Sequence, residues 1–167
     1  MIKIGAVITL LLLCLNLQAA EPKWQQPLNG NYAWSQVSET GSLLVSTEKS
    51  LLNIEQENGK ILWQRDDMKA LSPYNVSSIQ GTPWVLINEH AGTLPPKTRL
   101  QLIDINTGKS IWDTGVFQAS NLVAIPVASH NLVLYGADHS GGTPWGESRK
   151  DLKPGTYFSG ISLETGE

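Results

Sequence analysis

The sequence predicts an all-β protein, a β-propeller built of four-stranded antiparallel blades. Three observations lead there. A hairpin motif recurs along the chain, short alternating strand-like runs precede each copy, and no long segment carries the 3.6-residue periodicity of a helix. The first copy reads Leu51-Leu-Asn-Ile-Glu-Gln-Glu-Asn-Gly-Lys-Ile-Leu-Trp63. It aligns with Leu100-Gln-Leu-Ile-Asp-Ile-Asn-Thr-Gly-Lys-Ser-Ile-Trp112, 49 residues on from Trp63 to Trp112. A third copy starts at Gly160-Ile-Ser-Leu-Glu-Thr-Gly166-Glu167, its Thr-Gly 58 residues beyond that of the second, from Gly108 to Gly166.

Each copy makes sense as a hairpin. An alternating strand such as Leu100-Gln101-Leu102 enters a tight turn whose glycine supplies a positive φ. The acid at the strand end, Glu55 or Asp104, is placed to accept hydrogen bonds from turn amides. The returning strand carries Ile61 or Ile111 and ends in a tryptophan that needs an apolar slot and one partner for its N–H. Upstream lie two further runs per copy: 32–37 and 42–47, then 76–79 and 84–88, then 122–127 and 131–135. The blades therefore fall at about residues 32–66, 74–114 and 121–167, after an N-terminal extension at 21–31. The third copy stops one residue past its turn, so the count is two blades and three quarters of a third. The expectation is a fragment of a larger ring, with an open edge through which the chain self-associates.

Composition narrows the function classes. The 167 residues are 41% hydrophobic and only 16% charged, where about 25% is usual, which excludes a disordered chain. Twelve basic and 15 acidic residues give a net charge of −3 with no basic block, so nucleic acid is not an expected partner. The first twenty residues read as a secretory signal. Lys3 supplies the basic start, 6–17 is an uncharged apolar core too short to span a bilayer, and Ala19-Ala20 offers small residues for cleavage. Bulky Leu13 stands where a lipoprotein box has a small residue, which makes Cys14 a filler of that core rather than a lipid anchor. The remaining chain has no cysteine, enters the periplasm without a disulfide to form, and carries no transmembrane segment. All six tryptophans lie beyond residue 20 and suit sheet packing.

Two segments stand out as insertions. Residues 137–156 form the longest irregular stretch, and Asp138, His139, Trp145, Glu147 and Arg149 give it charges and an aromatic platform. It reads either as a ligand- or partner-binding loop or as a solvated cover over a blade edge. Residues 89–97 occupy the equivalent place in the second unit, which puts both on one face. The Gly-Thr-Pro-Trp at 81–84 and at 142–145 reads as recurring turn chemistry. His90, His130 and His139 lack ligand spacing, so no metal is assigned. No nucleophile motif or phosphate loop is found, and no catalytic residue is assigned.

Asp104-Ile-Asn-Thr-Gly-Lys-Ser-Ile-Trp112 resembles the tryptophan-docking motif of PQQ-type propeller repeats, the eight-bladed quinoprotein dehydrogenase-like superfamily. The family pattern is Ala-x-Asp-x-x-Thr-Gly-Lys/Glu-x-x-Trp, and Leu102 replaces its alanine. The first copy carries Glu55 and Asn58 with Gly59 and Trp63. The second carries Asp104, Thr107, Gly108 and Trp112. The third has Ser162 at the acid position, then Thr165 and Gly166. The resemblance covers about residues 32–167 and implies a structural role for Trp63 and Trp112, wedged between neighbouring blades. It is specific for fold and weakly so for chemistry. It implies a non-catalytic module that binds other envelope proteins, as the propeller subunit of the outer-membrane β-barrel assembly machinery does. It also implies an alternative, a PQQ-dependent dehydrogenase with quinone and calcium held by residues beyond Glu167. A third reading is carbohydrate binding through Trp145 and its neighbours.

The leader makes a prediction. N-terminal sequencing of the protein recovered from its own cells is expected to begin at Ala20 or Glu21, and Cys14→Ser is expected to leave processing unchanged. Loss of processing in that variant would make Cys14 a lipid anchor.

Overall fold

The computed structural model describes residues 21–91, 97–118, 120–139 and 155–167; the assigned leader lies outside them. The first sheet is formed by β1 (Tyr32–Val37), β2 (Leu43–Thr47), β3 (Leu51–Ile54) and β4 (Ile61–Arg65), antiparallel and in chain order. The second contains β5 (Val76–Ser78), β6 (Trp84–Ala91), β7 (Lys97–Asp104) and β8 (Ser110–Asp113) in the same order, with a short β9 (Phe117–Gln118) added on β7. The third is β10 (Ser120–Val127), β11 (Leu132–His139) and β12 (Gly155–Ser162). These are successive blades of a partial propeller.

Burial follows from the stacking of sheet on sheet. The inner strands of the first blade, β2 and β3, are buried on both faces because each face meets a neighbour; outer β4 alternates between half-buried and exposed. One core fills the gap between the first and second sheets, with Trp34, Leu44 and Leu51 against Val85, Ile87 and Ile103. Another joins the second and third sheets, with Leu100, Leu102 and Trp112 against Val133, Ile161 and Leu163. Each fully buried leucine or isoleucine in these seams contributes about 1.5–3 kcal/mol. A third cluster was not foreseen: Trp24 and Leu28 of the N-terminal extension cover Val45, Leu52 and Ile54 on the far side of the first sheet.

The docking turns explain the spacing of the repeats. The amide of Gly59 donates to the Glu55 carbonyl, that of Gly108 to Asp104, and that of Gly166 to Ser162. These glycines sit at φ +77°, +68° and +75°. A Cβ at Gly108 would lie 2.6 Å from Trp63 Cδ2, and one at Gly166 2.8 Å from Trp112 Cγ. Glycine is thus needed twice over, for the left-handed backbone and for the close approach of an indole. The indole of Trp63 donates to the Ile105 carbonyl at 2.5 Å and that of Trp112 to Leu163 at 2.9 Å. The acceptor is in both cases the carbonyl three residues before the glycine. Trp24 repeats the arrangement, since its N–H donates to Gln56 at 2.7 Å and a Cβ on Gly59 would lie 2.6 Å from its Cδ2.

The strand-end acids differ from expectation in one case. Asp104 Oδ1 accepts from the amides of Asn106 and Thr107 at 2.8 and 3.0 Å, and the Thr107 hydroxyl accepts from Lys109 N. Glu55, one methylene longer, instead accepts from the Asn58 side chain at 2.7 Å, leaving Asn58 Oδ1 to take the Lys60 amide. In the third turn the Ser162 hydroxyl accepts from Glu164 N and Thr165 N, and Thr165 Oγ1 accepts from Glu167 N.

The described residues of both segments taken as insertions, 89–91 and 97 in one and 137–139, 155 and 156 in the other, are strand. The β6–β7 ladder runs without a break from Trp84↔Asp104 to Ala91↔Lys97. The β11–β12 ladder continues to Asp138↔Thr156 and His139↔Gly155. Residues 137–139, 155 and 156 are therefore paired backbone, not loop. Small and polar residues there hide the alternation that marks a strand. Residue 131, taken as the start of a strand, is a left-handed turn residue at φ +54°.

Truncating Trp63 or Trp112 to alanine is expected to cost about 3–5 kcal/mol, as for a buried core aromatic. Gly108→Ala should cost the about 1–2 kcal/mol of left-handed backbone and more, because the methyl displaces Trp63. In a Trp63→Ala background only the backbone share should remain. Urea unfolding of the four variants checks this, and equal costs of Gly108→Ala in both backgrounds would refute the contact.

Candidate functional site

Within each sheet the connection from second to third strand leaves at the end opposite the docking turn. In the first blade that connection is only 48–50, whereas β6–β7 and β11–β12 extend into long hairpins. Both long hairpins thus emerge on the same face of adjacent blades. Of the proposed loop residues, Asp138 and His139 end β11; Trp145, Glu147 and Arg149 lie outside the described residues.

A network of charged side chains stands where the β6–β7 hairpin leaves the seam between the first two blades. Register brings its members together: Glu89 is opposite Arg99, and Gln101 is opposite Asp113. The Arg99 guanidinium forks onto Asp113, Nε donating to Oδ1 at 2.9 Å and Nη2 donating to Oδ2. Gln101 Nε2 and Gly115 N also donate to that carboxylate, at 3.0 and 2.8 Å. Glu89 Oε2 lies 3.7 Å from Arg99 Nη1. From the first blade, Arg65 pairs with Asp67 through Nε and Nη2, both at 2.7 Å, and reaches across the seam to the Gly108 carbonyl at 2.7 Å. Arg65 therefore links the end of β4 to the very turn that receives Trp63.

Hydrogen bonding to Arg99 holds the Asp113 carboxyl below the usual carboxylate range, and Arg65 does the same for Asp67. Both guanidinium groups are correspondingly raised by their hydrogen bonds to these acids. Glu89 moves the other way. Burial pushes its carboxyl up and outweighs the pull of Arg99. Its Oε1 and the Oε1 of Gln101 are buried with no hydrogen-bond donor. A proton on Glu89 would convert one of these two acceptors into a donor. The cluster has three acids and two arginines, so one negative charge is left over when all are ionised. Among the described residues no group of three or more His, Cys, Asp or Glu gathers to hold a metal ion. No helix among them is long and apolar enough to cross a membrane.

Sequence reading missed this network entirely. Arg99 and Asp113 are 14 residues apart and Arg65 is 43 from Gly108, so only strand register and blade packing reveal the contacts.

No family model and no curated protein matches the chain. Among solved structures, a crystal structure of BamB from Moraxella catarrhalis is similar over 86% of this chain, at 15% identity and a TM-score of 0.46. The chain spans 37% of the length of that protein.

The carboxylates predict opposite responses to pH. Asp113 and Asp67 have depressed values when folded, so the stability they contribute is present above the unfolded carboxyl range and is lost as pH falls through the folded values. Glu89 is raised, so its ionisation lowers stability as pH rises between the unfolded and folded values. Glu89→Gln should therefore be more stable than wild type at pH 7 and equal to it near the unfolded carboxyl value of about 4.3. Asp113→Ala should lose about 1.5–3 kcal/mol at pH 7 and little in acid. Thermal melts across pH check both signs. A Glu89→Gln advantage that grows in acid would overturn the assignment.

Proposed function

We propose that the chain is an exported, non-catalytic binding or scaffold module of the periplasm or cell envelope, and that it meets protein partners through the face carrying the long hairpins. One observation carries this reading: adjacent blades extend the same second-to-third-strand hairpin while the first blade keeps it minimal. Ladders of eight residue pairs in each hairpin make rigid projections rather than loose loops. Rigid projections lose little conformational entropy when a partner binds. The Arg99–Asp113 fork and the Arg65–Asp67 pair brace the base of one of them against the neighbouring blade. The opposite face is occupied by docking turns, whose polar groups are largely spent on their own backbone. Export rests on the leader sequence.

Photo-crosslinking amino acids separate the two faces. Placed at exposed His90 and Lys97, they are expected to capture discrete envelope proteins in living cells. Placed at exposed Lys60 and Asn106 in the docking turns, they should capture none. Equal capture at both sets, or none at the hairpins, would overturn the reading.

A further inference from the structure

The extension of β6 is paired along one edge only. On its inner edge β5 reaches no further than Ile87, the partner of Val76, whereas β7 continues on the other side to Ala91. The neighbouring blades differ: β1 pairs with β2 from Leu43 to Thr47, and β10 follows β11 from Leu132 to Asp138. The outer side of the hairpin is closed as well, since β9 lies against Lys97 and Thr98. Hydrogen bonds give the direction of the backbone groups. The Trp84 carbonyl accepts from Ile79 N and the Asn88 carbonyl from Asn75 Nδ2, both on the inner side. The Pro83 and Glu89 carbonyls accept from Ile105 N and Thr98 Oγ1, both on the β7 side. Alternation along an unbroken ladder therefore turns the N–H and C=O of His90 inward, where no strand among the described residues receives them.

Tyr74 stands where the chain peels away from this edge. It is 93% exposed, yet the turn that carries it is held on every side. Ser72 N donates to Asn75 Oδ1 at 3.0 Å, Ser72 Oγ accepts from Tyr74 N, and Asn75 Nδ2 ties the turn to the Asn88 carbonyl at 2.6 Å. An exposed aromatic on a braced turn offers a large contact at little conformational cost. Two charges flank the same edge, Glu89 opposite Arg99 and exposed Lys97 opposite Ala91. Arg99 is committed to Asp113, and Asp67 and Arg65 beside them pair with each other, so the surplus negative charge of the network falls to Glu89.

We infer that an extended segment of a partner protein adds to β6 here, antiparallel and in line with β5, pairing its main chain with His90 and setting its side chains against Glu89, Lys97 and Tyr74. The inference rests on the reading of the hairpin face as the partner-binding face. In this register the residue after the one that faces His90 lies beside Glu89, where the surplus charge favours lysine or arginine. The residue before it lies beside Ala91, on the same face as Lys97, and an acid is favoured there. The residue after the base has no ladder position left, because Asn75 already holds the Asn88 carbonyl, so it turns out against Tyr74 and is apolar. The segment that fits is acid, any residue, base, apolar, in extended form. Main-chain bonds give it purchase and the charge order fixes its register.

The probes are the capped peptide Thr-Val-Glu-Thr-Lys-Val-Thr and its counterpart with glutamate and lysine exchanged, titrated into the full chain and followed by amide resonances and hydrogen exchange. The first should slow exchange at the His90 amide and bind at least about tenfold more tightly than the second. Tyr74→Ala, at an exposed site, should keep the circular dichroism of folded sheets and weaken the first peptide at least about tenfold. Glu89→Gln should bring the two peptides to within about threefold of each other. His90→Pro removes the inward N–H, leaves the β6–β7 bonds in place and should abolish binding. Equal binding of the two peptides, an unprotected His90 amide, or full binding by Tyr74→Ala would each overturn the inference. The face itself is scored separately, by cross-linking from Lys97 in cells. Capture that persists unchanged in the Tyr74→Ala, His90→Pro double variant would refute this mode of docking and keep the face, whereas no capture in the otherwise unaltered chain would refute both.

Discussion

One contact recurs at every seam: an indole ring lies flat on a glycine and donates its N–H to the carbonyl three residues earlier. Both halves are demanding. The ring needs a surface with no side chain, and the donor needs a carbonyl within reach of the ring edge. The tight turn after each third strand satisfies both, since its glycine is left-handed and its early carbonyl points outward from the hairpin. Once Trp63 sits on Gly108, the angle between the first two sheets, the depth of the apolar seam and the position of Arg65 near Ser110 are no longer independent.

Much of this was legible in the sequence, and the reasons are physical. The turns were readable because glycine with positive φ, a preceding polar residue and a following tryptophan are all imposed locally. The inner strands were readable through their apolar runs. Trp24 escaped notice although it precedes Trp63 by a blade-like interval, because no Gly-Lys turn precedes it as one precedes the other two. The hairpin extensions escaped for a different reason. Residues such as Glu89, His90, Asp138 and His139 are poor strand formers in isolation, and their pairing depends on a partner strand many residues away. The two-residue β9 has too little sequence to carry a pattern at all.

The charged seam belongs to the class of features that register creates. Neither Glu89 nor Gln101 is unusual in sequence, yet both send an acceptor oxygen into a space without donors. Asp113 beside them is well supplied, taking donors from Arg99, Gln101 and Gly115, so within this network the deficit falls on these two oxygens. Buried polar groups of this kind raise the cost of any other register, because a slip of one residue would turn the whole set to the opposite face.

The repeated indole contact also gives the chain a direction. Each blade carries its key on its last strand and its lock in the preceding turn, so every seam is written by the unit on one side and read by the unit on the other. Growth by whole units then needs no redesign: a duplicated blade arrives with a tryptophan that fits the old glycine and a glycine that fits the old tryptophan. The same grammar bears on folding, since a blade that forms early presents a finished receptor to the strand before it and a finished donor to the turn after it, and order can spread from neighbour to neighbour without a central nucleus.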